Sequence, residues 1–340
     1  MSWAGRSRLR GEQGAALLTA MIIVALIATL ASSMLWQQWR AVQVEAAERA
    51  RSQSAWILSG ALDWARLILR EDARTGRSTG NDIDHPGEPW AVPLAEARLS
   101  TFLAADKTNT EDGPDAFLSG SITDAQARFN LANVVNGSRI DKAGLEALQR
   151  LCETVGVSAE VALRLAAGLR DAAPPAPPEP PASGGVPSPT PAAPPPAADP
   201  PLMPRSARQL TWFGIEAEAI RALEPYVVIL PEQTMVNANT APREVLVATI
   251  PGLDLATAER MVQARQRAPF KTTADVQRLA SSLPVDAFAK VAVNSAYFEV
   301  RGRLRLNDVV LEQRSLVQRR GSAVEVLQRE RVSSRDPTGS

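Results

Sequence analysis

The apolar positions follow three successive regimes along the chain. From Ala15 to Leu35, 21 residues carry no charge, and a helix of that length crosses roughly 30 Å of hydrocarbon. The spacing then changes to threes and fours, through Leu35, Trp39, Val42, Ala46 and Ala50, and on through Ile57, Ala61, Trp64 and Ile68. Arg40, Glu45, Glu48, Arg51 and Asp63 occupy the opposite side. This pattern predicts one continuous helix from Ala15 to about Arg70, on the order of 80 Å long, apolar all round at first and amphipathic afterwards. Residues 71–95, with Gly76, Gly80, Pro86, Gly87, Pro89 and Pro93, read as a loop. A short helix is expected from Leu94 to Ala105, and partial alternation from Phe117 to Leu131 predicts a strand or hairpin.

Helical spacing returns after Asp141, with a stripe of Leu145, Leu148, Leu151 and Val155. A second helix is predicted after Ser158, a good N-cap, through Leu163, Ala166 and Leu169. Residues 174–204 hold 15 of the 26 prolines and read as an extended insertion between helical segments. Helices resume at Ser206 and from Ile215 to Leu223. Further on, Thr240 is placed to cap a helix whose first turn holds Pro242 and Glu244, which stops at Pro251-Gly252. Another helix runs from Leu255 to about Gln266. Near the C-terminus the period drops to two. Phe298, Val300, Leu304 and Leu306 alternate with Glu299, Arg301, Arg303 and Arg305, and turns at Asn307-Asp308 and Gly321-Ser322 predict a three-stranded antiparallel meander. The residues after Val332 read as a tail.

Composition narrows the function. The 37 basic and 37 acidic residues balance, so no global field favours a polyanion. A single cysteine, Cys152, excludes an internal disulfide, and with a single histidine, His85, no Cys/His zinc site can form. A Ser-His-Asp triad would rest on His85 alone, which reads as a solvent-exposed loop residue. Cys152 reads as a small buried or half-buried thiol on a helix. Arg6, Arg8 and Arg10 precede the apolar run and place the N-terminus in the cytoplasm, with the rest outside. A cleaved secretory signal is the plain alternative, but the run is longer than a signal core and no break follows it.

The segment Arg10-Gly11-Glu12-Gln13-Gly14-Ala15-Ala16-Leu17-Leu18 resembles a type IV prepilin leader. The resemblance implies cutting by a prepilin peptidase between Gly14 and Ala15, methylation of the new N-terminus at Ala15, and retention of the helix in the inner membrane. Most such proteins carry glutamate at the fifth mature position, and here that residue is Thr19. A carboxylate at that depth costs roughly 2.5–3.5 kcal/mol unless paired, and a subunit with nothing stacked above it has no use for one. Thr19 is read either as the mark of a filament tip or as a threonine whose hydroxyl simply bonds a carbonyl one turn back.

Asn239 to Phe270 resembles a helix-hairpin-helix, with Ile250-Pro251-Gly252-Leu253-Asp254 as its hairpin. In DNA-binding versions a second glycine opens the helix amides to phosphate. Asp254 stands there instead, and would cap the second helix and repel phosphate. The turn at Pro251, Gly252 and Asp254 is therefore expected to serve packing. A membrane-anchored nucleic-acid receptor of a DNA-uptake type is the second reading, and an anchored periplasmic enzyme the third.

With the leader, the segment Thr123-Asp124-Ala125-Gln126-Ala127-Arg128-Phe129-Asn130-Leu131, the run Val236 to Leu246 leading to Pro251-Gly252, and Phe270 before a helix start at Thr272 to Asp275, nearly the full chain resembles the minor pseudopilin K family of type II secretion systems. The implied fold class is α+β: a long N-terminal transmembrane and amphipathic helix packed on a small antiparallel pseudopilin sheet, with a large all-α, helix-hairpin-helix or SAM-like domain inserted between strands. The implied organisation is a leader at 1–14, a membrane part at 15–35, a periplasmic part of the helix at 36–71 and the first part of the head at 72–137. The inserted domain follows at 138–293, with the proline-rich insertion at 173–205, then terminal strands at 294–332 and a tail at 333–340. The resemblance implies a non-enzymatic cap on a short periplasmic filament that drives export of folded proteins. The implied partners are the minor pseudopilins I and J, the major pseudopilin G, the prepilin peptidase and the inner-membrane secretion platform. The 15–70 helix is the expected contact surface. No cofactor is required by this role. Structural Ca2+ is implied by resemblance, with the acidic run 106–115 and carboxylates such as Glu216 and Glu218 as sources and no ligand assigned.

Overall fold

The computed structural model describes residues 12–80, 82–99, 116–173, 201–306 and 309–332. The chain divides into two compact units, residues 1–59 and 60–340. Helix α1 spans Glu12–Thr79, 68 residues. In the first unit its apolar run from Leu17 to Leu35 is exposed throughout. It is the one described helix long and apolar enough to cross a membrane. The helix outlasts the predicted end at Arg70, so residues 71–79 are helical rather than loop. Leu69 and Ala73, four apart, are both buried and carry the apolar stripe onward. Gly80, at φ +67°, then ends the helix.

The remaining elements follow in chain order. Strands β1 (Leu94–Arg98), β2 (Ala116–Asp124), β3 (Phe129–Asn130), β4 (Val135–Asn136) and β5 (Arg139–Ile140) precede helices α2 (Lys142–Thr154) and α3 (Ala159–Ala172). After them come α4 (Ala217–Leu223), β6 (Val227–Val228), β7 (Val236–Asn237), α5 (Arg243–Thr249), α6 (Leu255–Arg267), α7 (Thr273–Leu279) and β8 (Val291–Ala292). The chain closes with β9 (Tyr297–Leu306), β10 (Val309–Arg320) and β11 (Ala323–Val332). One antiparallel sheet has the order β1-β2-β9-β10-β11. Its neighbours β2 and β9 are separated in sequence by residues 125–296, of which the described residues fold into the helical layer.

Within the second unit, Leu62, Ala65 and Leu69 of α1 share a core with Trp90, Ile122, Phe298, Val300, Val317 and Val324. Trp90 meets Phe298 edge-on, centroids 5.2 Å apart. Arg66 donates twice to the Val324 carbonyl, at 2.9 and 2.7 Å. The terminal meander forms as the alternation predicts, including the turn at Gly321-Ser322; Asn307-Asp308 lies outside the described residues.

Three expectations change. Leu94–Arg98 forms an edge strand on β2 instead of starting a helix, because pairing with a partner distant in sequence overrides the helix preference of Leu-Ala-Glu-Ala-Arg; residues 100–105 lie outside the described residues. Of the strand or hairpin expected from Phe117 to Leu131, the strand forms as β2 and no hairpin follows it. β2 runs out at Asp124, whose carboxylate accepts from the Gln126 amide at 2.7 Å and turns the chain. The segment after Ser206 is a 3-10 helix, Ala207–Phe213.

The helical layer has its own core. Leu148, Leu151 and Cys152 of α2 meet Leu165, Ala166 and Leu169 of α3, with Val245 and Leu246 of α5, Met261 of α6 and Val276 of α7. Phe129, Leu131, Val134 and Val135 join this core ahead of residue 138. Asp141 and Ser158 cap α2 and α3 through bonds to the Gly144 and Glu160 amides, 2.7 and 3.3 Å. The parallel pairs β3–β6 and β7–β8 bring distant ends of the layer together. At Gly144 the backbones approach so closely that an added Cβ would lie 2.0 Å from the Asn133 carbonyl oxygen. Gly144→Ala is expected to destabilise the layer by about 3 kcal/mol or more, measured by denaturant unfolding. An unchanged midpoint would refute that close approach.

Candidate functional site

The chain carries two groups of residues that bear on function: the start of α1, and a buried polar hub that joins the sheet to the helical layer. At the start, Gly14 and Ala15 both lie in the helix. The Thr19 hydroxyl donates to the Ala15 carbonyl at 2.8 Å, the local bond that makes a threonine tolerable in an apolar helix. Thr29 and Ser33 bond back in the same way, at 2.9 and 2.8 Å, so these three hydroxyls are satisfied inside the helix. Trp36 and Trp39 follow the apolar run, both exposed, with Arg40 over the Trp36 ring at 5.3 Å. Amphipathic rings at the end of an apolar run suit a membrane–water boundary.

The hub is assembled from the two internal segments singled out in the sequence. Asp124, buried, accepts four hydrogen bonds: Gln126 N at 2.7 Å, Asn237 Nδ2 at 2.9 Å, Ser295 Oγ at 2.7 Å and Thr240 Oγ1 at 2.6 Å. Thr240 is thus not the cap of α5. Pro242 holds that position, and the threonine hydroxyl is turned to Asp124. Asn239, fully buried, pairs with Phe270 in both directions, donating to its carbonyl at 3.0 Å and accepting from its amide at 2.8 Å. That explains why Phe270 stands before the Thr272 start of α7, where Asp275 accepts from the Thr272 amide at 2.8 Å. Gln126 spans the layers, donating to the Met235 carbonyl at 2.9 Å and accepting from the Ala296 amide at 2.6 Å.

Two charged clusters flank the hub. Glu299 is buried, although strand alternation placed it with the exposed arginines. Its carboxylate meets Arg128 and Arg301 at 2.7 Å and Arg314 at 3.1 Å. Burial alone would raise its pKa, but the neighbouring guanidiniums outweigh that and hold it below the ordinary range. Asp84, fully buried, accepts from Arg319 at 2.7 and 2.6 Å, and Arg319 also reaches Asp72 at 2.8 Å. Sequence reasoning missed Asp84, Ser295 and Arg319. The available signal was polar residues inside apolar runs, as in Val236-Asn237-Ala238-Asn239, which mark inward polar positions without naming their partners.

The hairpin behaves as the sequence predicts. The Asp254 carboxylate caps α6, accepting from Thr257 N at 2.9 Å and Thr257 Oγ1 at 2.6 Å. The bonds to the Thr257 side chain and amide hold its pKa below the usual carboxylate value. A phosphate would meet a negative charge over an amide already bonded. Gly252, at φ +81°, makes the turn after Pro251, and a Cβ there would press on Leu283 at 3.1 Å. Leu253 and Ile250 are buried, so the hairpin packs into the layer.

His85 is half-buried rather than solvent-exposed, and its ring accepts from the Gly87 amide at 3.1 Å. Burial pushes the fully enclosed Cys152 thiol up to about 11, so it stays protonated and unreactive. For calcium, the acidic run 106–115 lies outside the described residues, and Glu216 and Glu218 are exposed on and beside α4. Asp72, Asp84 and Glu88 do lie together, one oxygen of each within 4.8 Å of the others. They do not fit the ion. Arg319 already holds Asp72 and Asp84, and Glu88 accepts from the His85 amide at 3.0 Å and Trp90 Nε1 at 2.7 Å. Calcium wants six to eight free oxygens.

Two adjoining family models match, both described as type II secretion system protein K, over residues 127–232 and 236–299. These residues contain the helical layer and most of the hub. The type II secretion system protein K of Pseudomonas aeruginosa is 28% identical over 88% of this chain and 86% of its own length. Those of Pectobacterium carotovorum and Klebsiella pneumoniae are 28% and 29% identical, each over 94% of this chain and 96% of theirs. The fold is similar to that of one chain in the crystal structure of the GspK-GspI-GspJ complex of enterotoxigenic Escherichia coli: TM-score 0.58, 18% identity, 85% of this chain and 99% of that one. The chain belongs to the type II secretion system protein K family.

Proposed function

We propose that this protein is a minor pseudopilin that caps a short periplasmic filament, anchored by α1 in the inner membrane with its N-terminus in the cytoplasm. The observation that supports this reading best is the insertion of residues 125–296 between adjacent strands β2 and β9. It gives a small pilin-type sheet a bulky helical layer, which obstructs stacking of a further subunit and suits a terminal position. The apolar, fully exposed run of α1 supplies the anchor, and Arg6, Arg8 and Arg10 ahead of it set the orientation. A prepilin peptidase cuts between Gly14 and Ala15, and Ala15 becomes the methylated N-terminus. Thr19 in place of an intramembrane carboxylate fits a subunit with no neighbour above it. The minor pseudopilins I and J are the proposed direct partners, with the major pseudopilin G below them and the secretion platform at the base. Their docking uses helix packing through the outward faces of α1. The role draws on packing surfaces and needs neither a cofactor nor a catalytic residue.

The test is the mass and N-terminal sequence of the mature protein from cells with and without the prepilin peptidase, followed by co-purification with I and J. A start at methylated Ala15 that disappears without the peptidase, and a complex with both partners, are expected. A start at Met1, or one beyond the apolar run, would remove the pseudopilin reading.

A further inference from the structure

The hub gathers more acid than base. Asp72 of α1 and Asp84 of the following loop pair with one guanidinium, that of Arg319 on β10; the Glu88 carboxylate lies beside them, and Asp124 at the end of β2 adds its charge toward Asp84. Asp84 is the side chain that spans the junction. It accepts from Arg319 of the sheet, and also from the amide of Ser295 at 2.7 Å, where the helical layer returns to β9. Its own amide donates to the Val293 carbonyl at 3.0 Å, and the Arg319 amide to the Ala296 carbonyl at 2.6 Å. Beside it opens a cavity of about 530 Å³ whose walls include Asp82, Ser295 and Arg319, giving water and protons a route to the cluster.

We propose that Asp84, Asp72 and Arg319 form a proton-operated clasp, which fastens the returning end of the helical layer to the sheet and tightens when the cluster takes up a proton. In a buried site, several carboxylates and one cation leave an excess of negative charge that a proton relieves. Burial pushes Asp84 up to about 7. Burial, with the charge of Glu88 added, pushes Asp72 to about 6. Burial also raises Glu88 and Asp124. These folded-state values lie above those of an opened segment, so the closed form holds protons that the open form has released. Closure therefore strengthens as pH falls from about 7 toward the ordinary carboxylate range, and weakens as pH rises through 7. Of the other groups facing the cluster, Asp82 adds negative charge toward Asp72 and Glu88. His85, lowered by burial, opposes the effect below its ordinary 6.5. Arg77 and Lys290 line the cavity.

The test is hydrogen exchange on the full chain in detergent micelles, corrected for intrinsic chemistry, between pH 7.5 and 5.5. Protection of the Asp84, Ser295 and Arg319 amides is expected to rise on the order of tenfold on acidification, while the other amides of the β10–β11 hairpin stay constant. In Asp84→Asn and in Asp72→Asn that rise is expected to shrink, each variant keeping only the share of the carboxylates that remain. A flat profile in the parent chain, or an equal rise in both variants, overturns the proposal. If Asp84→Asn also loses hairpin protection, it has unfolded, and Asp72→Asn alone decides.

Discussion

Asp124→Ala is expected to destabilise the second unit by about 4 kcal/mol, a large share of the 5–15 kcal/mol typical of a folded protein. The substitution removes the acceptor shared by Gln126, Asn237, Thr240 and Ser295. Those donors are buried or half-buried, so each retains much of its desolvation cost without its bond. Asp124→Asn keeps the volume but turns an amide donor toward other donors, and an intermediate loss is expected. Denaturant unfolding of the full chain in micelles measures both. If Asp124→Ala unfolds at the parent midpoint, the hub does not hold the layers together.

Gly14→Val is expected to leave the chain as an uncut precursor, still 14 residues longer than the mature form, and to abolish secretion in a strain that depends on this copy. A β-branched side chain at the scissile position blocks the close backbone approach a peptidase needs, while the helix beyond it keeps its membrane affinity. Intact mass separates the outcomes. Accumulation of the precursor in the membrane supports the cut at Gly14, whereas normal processing of Gly14→Val would move it elsewhere. The companion change Thr19→Glu places an unpaired carboxylate in lipid, which costs roughly 2.5–3.5 kcal/mol. In a tip subunit it is expected to lower membrane retention without improving assembly.

What could be read from the sequence was whatever depends on near neighbours. The uninterrupted run from Ala15 to Leu35, the stripes of α2 and α3, the Ser158 and Asp254 caps, and the alternation of β9 each follow from spacing within a few residues. Tertiary structure decided the rest. Leu94–Arg98 became a strand because β2 offered an open edge. Thr240 left its capping position for a carboxylate 116 residues away in sequence. Glu299, on the outward side by alternation, was buried because Arg128, Arg301 and Arg314 converge on it. Asp84 and Arg319, 235 residues apart, find each other only when the chain closes. A hydrogen-bond partner is a property of three-dimensional closure. Local periodicity shows that a polar side chain points inward, and only the packed layers determine which group satisfies it.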